Sequence, residues 1–365
     1  SLLGGLDRFI KKGSRVFVKI NHLSPPSRPE EAIVTHPEFT RAVCRLLKEN
    51  GCVLTVGDDI QSRDKDGFLI SGYRKMCEEE GLRLINLKES GFQEIRCQGR
   101  LLESLYVSPL VLEADHIVNL PKLKTHSLTA LTGAVKNMYG IIPHGLRKLF
   151  HRRYPTPDLF SEMLVDIYAC AVPQLNIMDA VVGMEGEGPS AGAPKKLGLV
   201  MASPDGVALD AVASEVIGLD PRLVATTRHA AERDLGRARL EDIQVLGENI
   251  ETARVSDFRI STISLGLIQR RFPALLQGFI QDQLTRIPKI NRKHCTSCRE
   301  CVEICPTGAA RMVDGKAWIQ PAWCIHCMCC HEVCRFHAVD LGERPFGKAI
   351  RYLTSAYRRV MSLFA

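Results

Sequence analysis

Apolar positions along the first half of the chain follow two alternating rhythms. Short runs rich in β-branched residues are separated by stretches with an apolar residue every third or fourth position. The first run, Val16-Phe-Val-Lys-Ile-Asn21, is apolar nearly throughout until Lys19 and Asn21, as expected of a strand buried on both faces. After a Pro- and Ser-rich loop over 24–31, Thr35-His-Pro-Glu38 reads as a capping box with Pro in the first turn. Phe39, Val43, Leu46 and Leu47 give that helix its inward face, and Gly51 ends it. Val53–Gly57 reads as a strand, Phe68–Glu80 as a helix closing at Gly81, and Leu82–Leu87 as a third strand. This is the βαβ rhythm of a parallel sheet.

The rhythm continues beyond residue 115. His116–Leu120 reads as a strand running into Pro121-Lys-Leu-Lys-Thr-His126. A helix is then expected from Leu128, Leu131, Val135 and Met138. A helix over Asp158–Val172, a strand over Leu175–Asp179, a Gly-rich turn over 183–189 and a strand over Lys196–Met201 follow. Ser203-Pro-Asp205 caps a further helix, Asp220-Pro221 opens another, and Asp242–Leu246 reads as a short last strand. Residues 1–260 are therefore expected to form an α/β domain, Rossmann-like, with a mostly parallel sheet and helices on both faces. Residues 261–290 read as an amphipathic connector broken by Pro273 and Pro288, and 291–343 as a small second domain. Residues 344–365 read as a basic amphipathic helix that docks on the protein's own core rather than on a membrane.

The second domain is defined by its cysteines. They run Cys295-x2-Cys298-x2-Cys301-x3-Cys305-Pro306, then Cys324-x2-Cys327-x2-Cys330-x3-Cys334. Each run has the spacing by which bacterial two-cluster ferredoxins hold a cubane [4Fe–4S] centre, the fourth cysteine of each run reaching to the other cluster. The expected sets are Cys295, Cys298, Cys301 and Cys334 for one cluster, and Cys324, Cys327, Cys330 and Cys305 for the other. Structural zinc uses pairs of Cys-x2-Cys set far apart, not a triplet followed by x3-Cys. Two departures stand out: Arg335 follows Cys334 where a Pro would be usual, and Cys329 is an extra thiol beside Cys330. Arg335, His294, His326, His331 and His337 put donors or charge near the clusters, which raises a reduction potential.

Composition narrows the setting. At 365 residues and 45% hydrophobic, the chain can bury one sizeable core plus a small appended domain. A net charge of +7 permits anionic partners, and no nucleic-acid motif accompanies it. Six cysteines fall outside the ligand sets, mostly in apolar patterns, which fits a reducing cytoplasm better than a disulfide framework. The first residues are too short for a signal-peptide apolar region, and no uncharged apolar run reaches the about 18 residues of a membrane span. Membrane association is not expected, and an oligomer is compatible with the sequence.

Chemistry in the large domain is expected at strand ends, where open α/β sheets bind ligands. Lys19 and Asn21 end the first strand. Asn119, Lys122, Lys124, Thr125 and His126 gather round the fourth, and Lys136 and Asn137 lie on the helix after it. Converging lysines favour a carboxylate, phosphate or acyl phosphate by Coulomb attraction. In that arrangement Lys19, Lys122, Lys124 and Lys136 bind the anion and Asn119 and Asn137 orient it. His126, near neutrality in its ordinary pKa, delivers a proton. Asp179 and Glu185, with Glu187, are candidates for a polar substrate or a divalent cation. The basic stretch 144–153 reads as a solvated face.

Several of these motifs together resemble a known family. They are Val18-Lys-Ile-Asn21, Thr35-His-Pro-Glu38, Val56-Gly-Asp58, Asn119-Leu-Pro-Lys-Leu-Lys-Thr-His126, Gly133-Ala-Val-Lys-Asn-Met-Tyr-Gly140, Asp179-Ala-Val-Val-Gly-Met-Glu-Gly186 and Ala208-Leu-Asp-Ala-Val212. The chain resembles the domain of unknown function 362, a family of uncharacterised iron–sulfur proteins distantly similar to the N-terminal domain of lactate racemase. Ile20 and Asp59 depart from it, standing where relatives more often have Pro and Ser. The resemblance implies a Rossmann-like domain, two [4Fe–4S] clusters and an anaerobic cytoplasmic setting, and supplies no substrate. The leading expectation is an oxidoreductase that passes low-potential electrons from a ferredoxin or partner reductase, through the clusters, to a small anionic substrate. The alternatives are an electron relay that docks a partner enzyme, and a racemase- or isomerase-like enzyme with structural clusters.

Overall fold

The computed structural model describes residues 2–23, 27–60, 67–260, 283, 285–342 and 344–349. The chain divides into two compact units, 1–260 and 261–365. The first is built on one mixed sheet. Its strands are β1 (Arg15–Ile20), β2 (Val53–Asp58), β3 (Arg83–Asn86), β6 (His116–Leu120), β7 (Lys122–His126), β8 (Ala130–Thr132), β9 (Leu175–Glu185) and β10 (Ala193–Ser203), in the order β3-β2-β1-β6-β9-β7-β8 with β10 on β9. A separate hairpin joins β4 (Gln93–Arg96) and β5 (Ser104–Val107). All pairings in the large sheet are parallel except β7 with β8 and β9 with β10. This is the α/β, mostly parallel architecture the βαβ pattern predicts.

Alternation along β1 divides the core. Val16, Val18 and Ile20 face a cluster that takes in Val43 and Leu47 of α1 (Pro37–Glu49) and Tyr73 and Met76 of α3 (Tyr73–Glu80). Phe17 faces the opposite cluster, with Val135 of α5 (Ala134–Asn137) and Phe160, Leu164 and Tyr168 of α7 (Pro157–Cys170). Both faces of the sheet are thus covered, which is why these strands read as nearly unbroken apolar runs.

Several local expectations are corrected. The N-cap of α1 is His36, whose Nδ1 accepts from Glu38 N at 3.2 Å. Thr35 instead donates to the Leu120 carbonyl at 2.6 Å, tying the helix entry to β6. The helix expected over 68–80 is split into α2 (Gly67–Ile70) and α3 by Gly72, whose φ of 77° is left-handed. Beyond Pro121 the chain stays extended: β7 begins one residue later, and Asp179 N donates to the Pro121 carbonyl at 2.9 Å to carry β9 across the break. The helix expected from Leu128 begins only at Ala134, because Ala130–Thr132 turn back on β7 as β8. Residues 243–246 are not a strand. The amphipathic connector falls largely, and the C-terminal helix almost wholly, outside the described residues.

Beyond the ligand sets, Cys44, Cys52 and Cys77 are buried as expected. Cys97 and Cys170, 73 residues apart, bring their sulfurs to 2.7 Å at the foot of the β4–β5 hairpin. Their sequence neighbourhoods carry no sign of this pairing.

The second unit repeats one theme twice. Each cysteine run ends in a short helix, Glu300–Ile304 and Cys329–Glu332. Strand β11 (Ile287–Ile290) pairs with β14 (Val339–Gly342), and β12 (Ala310–Val313) with β13 (Lys316–Ile319), both antiparallel. Left-handed backbone recurs at equivalent places, at Ser297 and Arg299 in the first run and His326 and Met328 in the second. Non-Gly residues held so cost of order 1–3 kcal/mol each. Their repetition marks a loop wrapped around something specific.

Candidate functional site

Two cavities in the second unit gather the cysteines. One, of about 350 Å³, is lined by Cys295, Cys298, Cys301 and Cys334. The other, of about 320 Å³, is lined by Cys305, Cys324, Cys327, Cys329 and Cys330. Apart from Cys329, each set takes three cysteines from one run and the last from the other. Among the described residues, no three His, Cys, Asp or Glu side chains converge closely enough to share a single metal ion. Cysteine sulfurs drawn from both runs around one cavity fit a cubane with iron at its corners. The last sulfur of each set also accepts a backbone N–H, Cys305 from Ala310 at 3.4 Å and Cys334 from Ala338 at 3.2 Å. Such donors stabilise thiolate charge. Cys329 turns from that role: its thiol donates to the Cys327 carbonyl at 4.0 Å. Among the flanking donors, Arg335 pairs with Glu300 at 2.7 Å, and His331 Nδ1 meets the Val339 carbonyl at 2.7 Å.

The strand ends of the first unit are arranged differently. Lys19 is fully buried and meets Asp58 at 2.9 Å, while also donating to the Ile20 carbonyl at 2.7 Å. Burial pulls the lysine pKa down, opposed by Asp58, and pushes the Asp58 pKa up, opposed by Lys19. Gly140 is required beside this pair, since a Cβ there would stand 2.1 Å from Asp58 Oδ1. Lys122 is equally buried and meets Asp179 at 2.8 Å, its register partner on β9. Asp179 also accepts from His36 N at 2.9 Å. Lys124 donates to the Ile33 carbonyl at 2.6 Å. Lys136 is half-buried.

Four asparagines link these elements. Asn21 Nδ2 donates to Asn137 at 2.9 Å, Asn137 to Asn119 at 2.7 Å and Asn119 to Asn176 at 2.8 Å. Thr125 Oγ1 accepts from Gly188 N at 3.2 Å. Glu185 is engaged by the backbone and side chain of Arg259, at 2.9 and 2.7 Å. Arg147, in the basic stretch now seen as helix α6 (His144–Arg153), pairs with Asp59 at 2.6 Å.

These contacts change what the expected residues can do. Lys19 and Lys122 have buried carboxylates of their own, so an open hollow of waiting cations is not what this end of the sheet presents. His126 Nδ1 accepts from the amides of Leu128 and Thr129 at 3.0 and 3.3 Å, which leaves the proton on Nε2. Burial first, then Lys136 and Lys124, hold its pKa well below the ordinary value. The imidazole is neutral, a hydrogen-bond donor rather than an acid. Asp58 and Asn176 are the partners that pattern reading did not assign. Their signal was position, Asp58 ending a strand beside Lys19 and Asn176 opening the strand that pairs with β6. Asp210 of α8 (Gly206–Val216) accepts from Ala134 N at 2.6 Å and Val135 N at 3.1 Å, and burial pushes its pKa up to about 7.

An α/β unit and a unit with two cysteine-lined cavities define an iron–sulfur protein. The family described as "4Fe-4S binding domain" matches residues 288–311, which contain the whole first cysteine run. The family described as "Domain of unknown function (DUF362)" matches residues 16–215, more than half of the chain. The chain belongs to the DUF362 family. Among curated proteins it is similar to the thylakoid-associated protein sll1697 of Synechocystis sp., 33% identical over 236 residues that make up 64% of this chain and 72% of that protein. Among solved structures it is similar to the lactate racemase apoprotein from Thermoanaerobacterium thermosaccharolyticum, at 10% identity and a TM-score of 0.41. That likeness covers 56% of this chain and about half (51%) of the other, and at such distance it speaks to neither substrate nor reaction. No helix among the described residues is long and apolar enough to cross a membrane.

Proposed function

We propose that this protein is an iron–sulfur electron carrier with two [4Fe–4S] clusters in its second unit. One is held by Cys295, Cys298, Cys301 and Cys334, the other by Cys324, Cys327, Cys330 and Cys305. The observation that carries this reading is the exchange of the fourth cysteine between the two cavities. When bound, such clusters supply one-electron chemistry. The chain contributes the rest. The Ala310 and Ala338 amides offset charge on the last sulfur of each set. Ala317 and Val339 on the first cavity, and Ala310 and Ile319 on the second, keep the walls apolar and restrict water. Electrons arrive from a ferredoxin or a partner reductase. Anaerobic reconstitution tests the count: about eight irons and eight sulfides per chain are expected, and a plateau at half that refutes it.

A second reading concerns the first unit, and one observation favours it. Lys136 and Lys124 both press on His126, so positive field persists there beside the paired lysines. In this reading a small carboxylate or phosphate is drawn by Lys124 and Lys136, oriented by Asn21, Asn137 and Thr125, and given a hydrogen bond by His126 Nε2. Reduction of that molecule by the clusters would make the protein an oxidoreductase. Calorimetry with oxalate and with inorganic phosphate tests it. Binding that disappears in Lys136→Ala supports the site, and no binding to the intact protein removes it.

A further inference from the structure

The β12–β13 hairpin has two unlike faces. Its register sets Ala310 opposite Ile319, Arg311 opposite Trp318, Met312 opposite Ala317 and Val313 opposite Lys316. Alternation puts Ala310, Met312, Ala317 and Ile319 on one face, and Arg311, Val313, Lys316 and Trp318 on the other. The inner face walls both cavities, Ala317 on the first and Ala310 with Ile319 on the second. Trp318 lies between those two wall residues in sequence and points away from them, 39% exposed. Trp323, 53% exposed, stacks under the Arg311 guanidinium, 4.0 Å from ring centroid to Cζ. Lys316 donates to the Cys295 carbonyl, fastening the hairpin to the first cysteine loop.

The core of so small a unit does not explain this face. The chain has two tryptophans, both are here, and both are left exposed although burying them would add most to the core. Tryptophan and arginine side by side are the residues that carry binding energy at protein interfaces. Charge selects the partner. Residues 285–342 contain eight Lys or Arg against five Asp or Glu, and the outer face itself carries Arg311 and Lys316 with no acid among its four strand residues. A protein docked there would sit one strand's thickness from both cavities.

We propose that the outer face of this hairpin, Arg311, Val313, Lys316 and Trp318 with Trp323, is the docking surface for an acidic one-electron carrier protein. The proposal rests on reading the two cysteine sets as cluster sites. One electron leaves the carrier's reduced cofactor, which is oxidised by one, and one cluster is reduced by one. No bond or proton moves. Acidic residues rimming the carrier's cofactor meet Arg311 and Lys316, and its apolar centre meets the indoles.

The test uses the full chain with its clusters and an acidic plant-type [2Fe–2S] ferredoxin as probe. With both proteins oxidised, Trp318→Ala and Arg311→Glu are each expected to weaken binding about tenfold at low salt, and Arg311→Lys to restore it. A carbodiimide cross-link from Lys316 to a ferredoxin carboxylate is expected in the wild type. With the probe reduced, electron-transfer rates fall in parallel, while dithionite, which needs no docking, reduces wild type and variants to the same EPR intensity. Unchanged binding and rate in both variants, or affinity that does not fall with added salt, overturns the docking face. Absence of the dithionite-reduced cluster signal in the wild type overturns the cluster reading instead, so the two failures are distinct.

Discussion

The two units handle buried polar groups in opposite ways. In the second, cysteine sulfurs line each of two spaces, and Cys305 and Cys334 accept the backbone amides of Ala310 and Ala338. In the first, Lys19, Lys122 and four asparagines face inward too, yet each meets a protein partner: Asp58, Asp179 or another amide. A buried ionic group must be paired because desolvation would otherwise expel or neutralise it. Where the partner is protein, the group fixes the fold. Where the surrounding backbone leaves a volume instead, the group awaits a guest. The same residue-level signal, clustered polar side chains in an apolar setting, thus has two meanings.

The comparison can be broken most decisively at the cysteines. Replacing Cys301 or Cys330 by Ala is expected to remove one cluster, so iron content falls from about eight to about four per chain. The Fe–S absorbance should drop with it. Cys329→Ala, whose thiol turns to a carbonyl, should leave iron content unchanged; a loss there would make Cys329 the ligand in place of Cys330. A smaller effect belongs to the buried pair of the first unit. Lys122→Ala strands Asp179 and is expected to lower the stability of that unit by about 3–5 kcal/mol in denaturant unfolding. If instead it unfolds as wild type does but loses anion binding, Lys122 serves a ligand and not the sheet.

Asp210 gives a gentler, pH-dependent contrast. Burial raises its folded pKa to about 7, above the unfolded value near 4. Between those values the folded form holds a proton that the unfolded chain releases. The contribution is therefore full below about pH 4, is lost as pH rises toward 7, and falls by at most about 1.4 kcal/mol per pH unit. Asp210→Asn should flatten that part of the stability profile measured by thermal unfolding, and an identical slope in both proteins would contradict the shift. The smallest effect is expected at Lys136. Lys136→Ala should change stability by less than about 0.5 kcal/mol, a typical limit for substitutions away from core features. Its consequence is expected in oxalate or phosphate binding alone.

Pattern reading reached much of this, and its misses have common causes. The strands β1, β2, β6 and β9 were legible because burial on both faces leaves little polar alternation to confuse. The pattern did not show that 122–126 is itself a strand, because Pro121 lacks an N–H; here β9 bonds to the Pro121 carbonyl and bridges the gap. The β8 stretch reads as helix because Leu128, Leu131 and Val135 fall at helical spacing across a turn and a short strand. Lys122 and Lys124 read as binders of an anion because lysines converging at a strand end show no partner in the nearby sequence. Their partners stand far off in the chain, Asp179 57 residues away and the Ile33 carbonyl 91.

Sequence by itself determined the βαβ order and the ligand spacing of the cysteines, because both depend on residues close together in the chain. A strand's hydrophobicity and a Cys-x2-Cys step are local properties, and local covalent reach is enough to read them. Only the tertiary structure decided which charges are neutralised and which face of the β12–β13 hairpin looks outward. Those depend on groups brought together from distant positions, where the energy of desolvation and pairing is set by three-dimensional neighbours rather than by order along the chain.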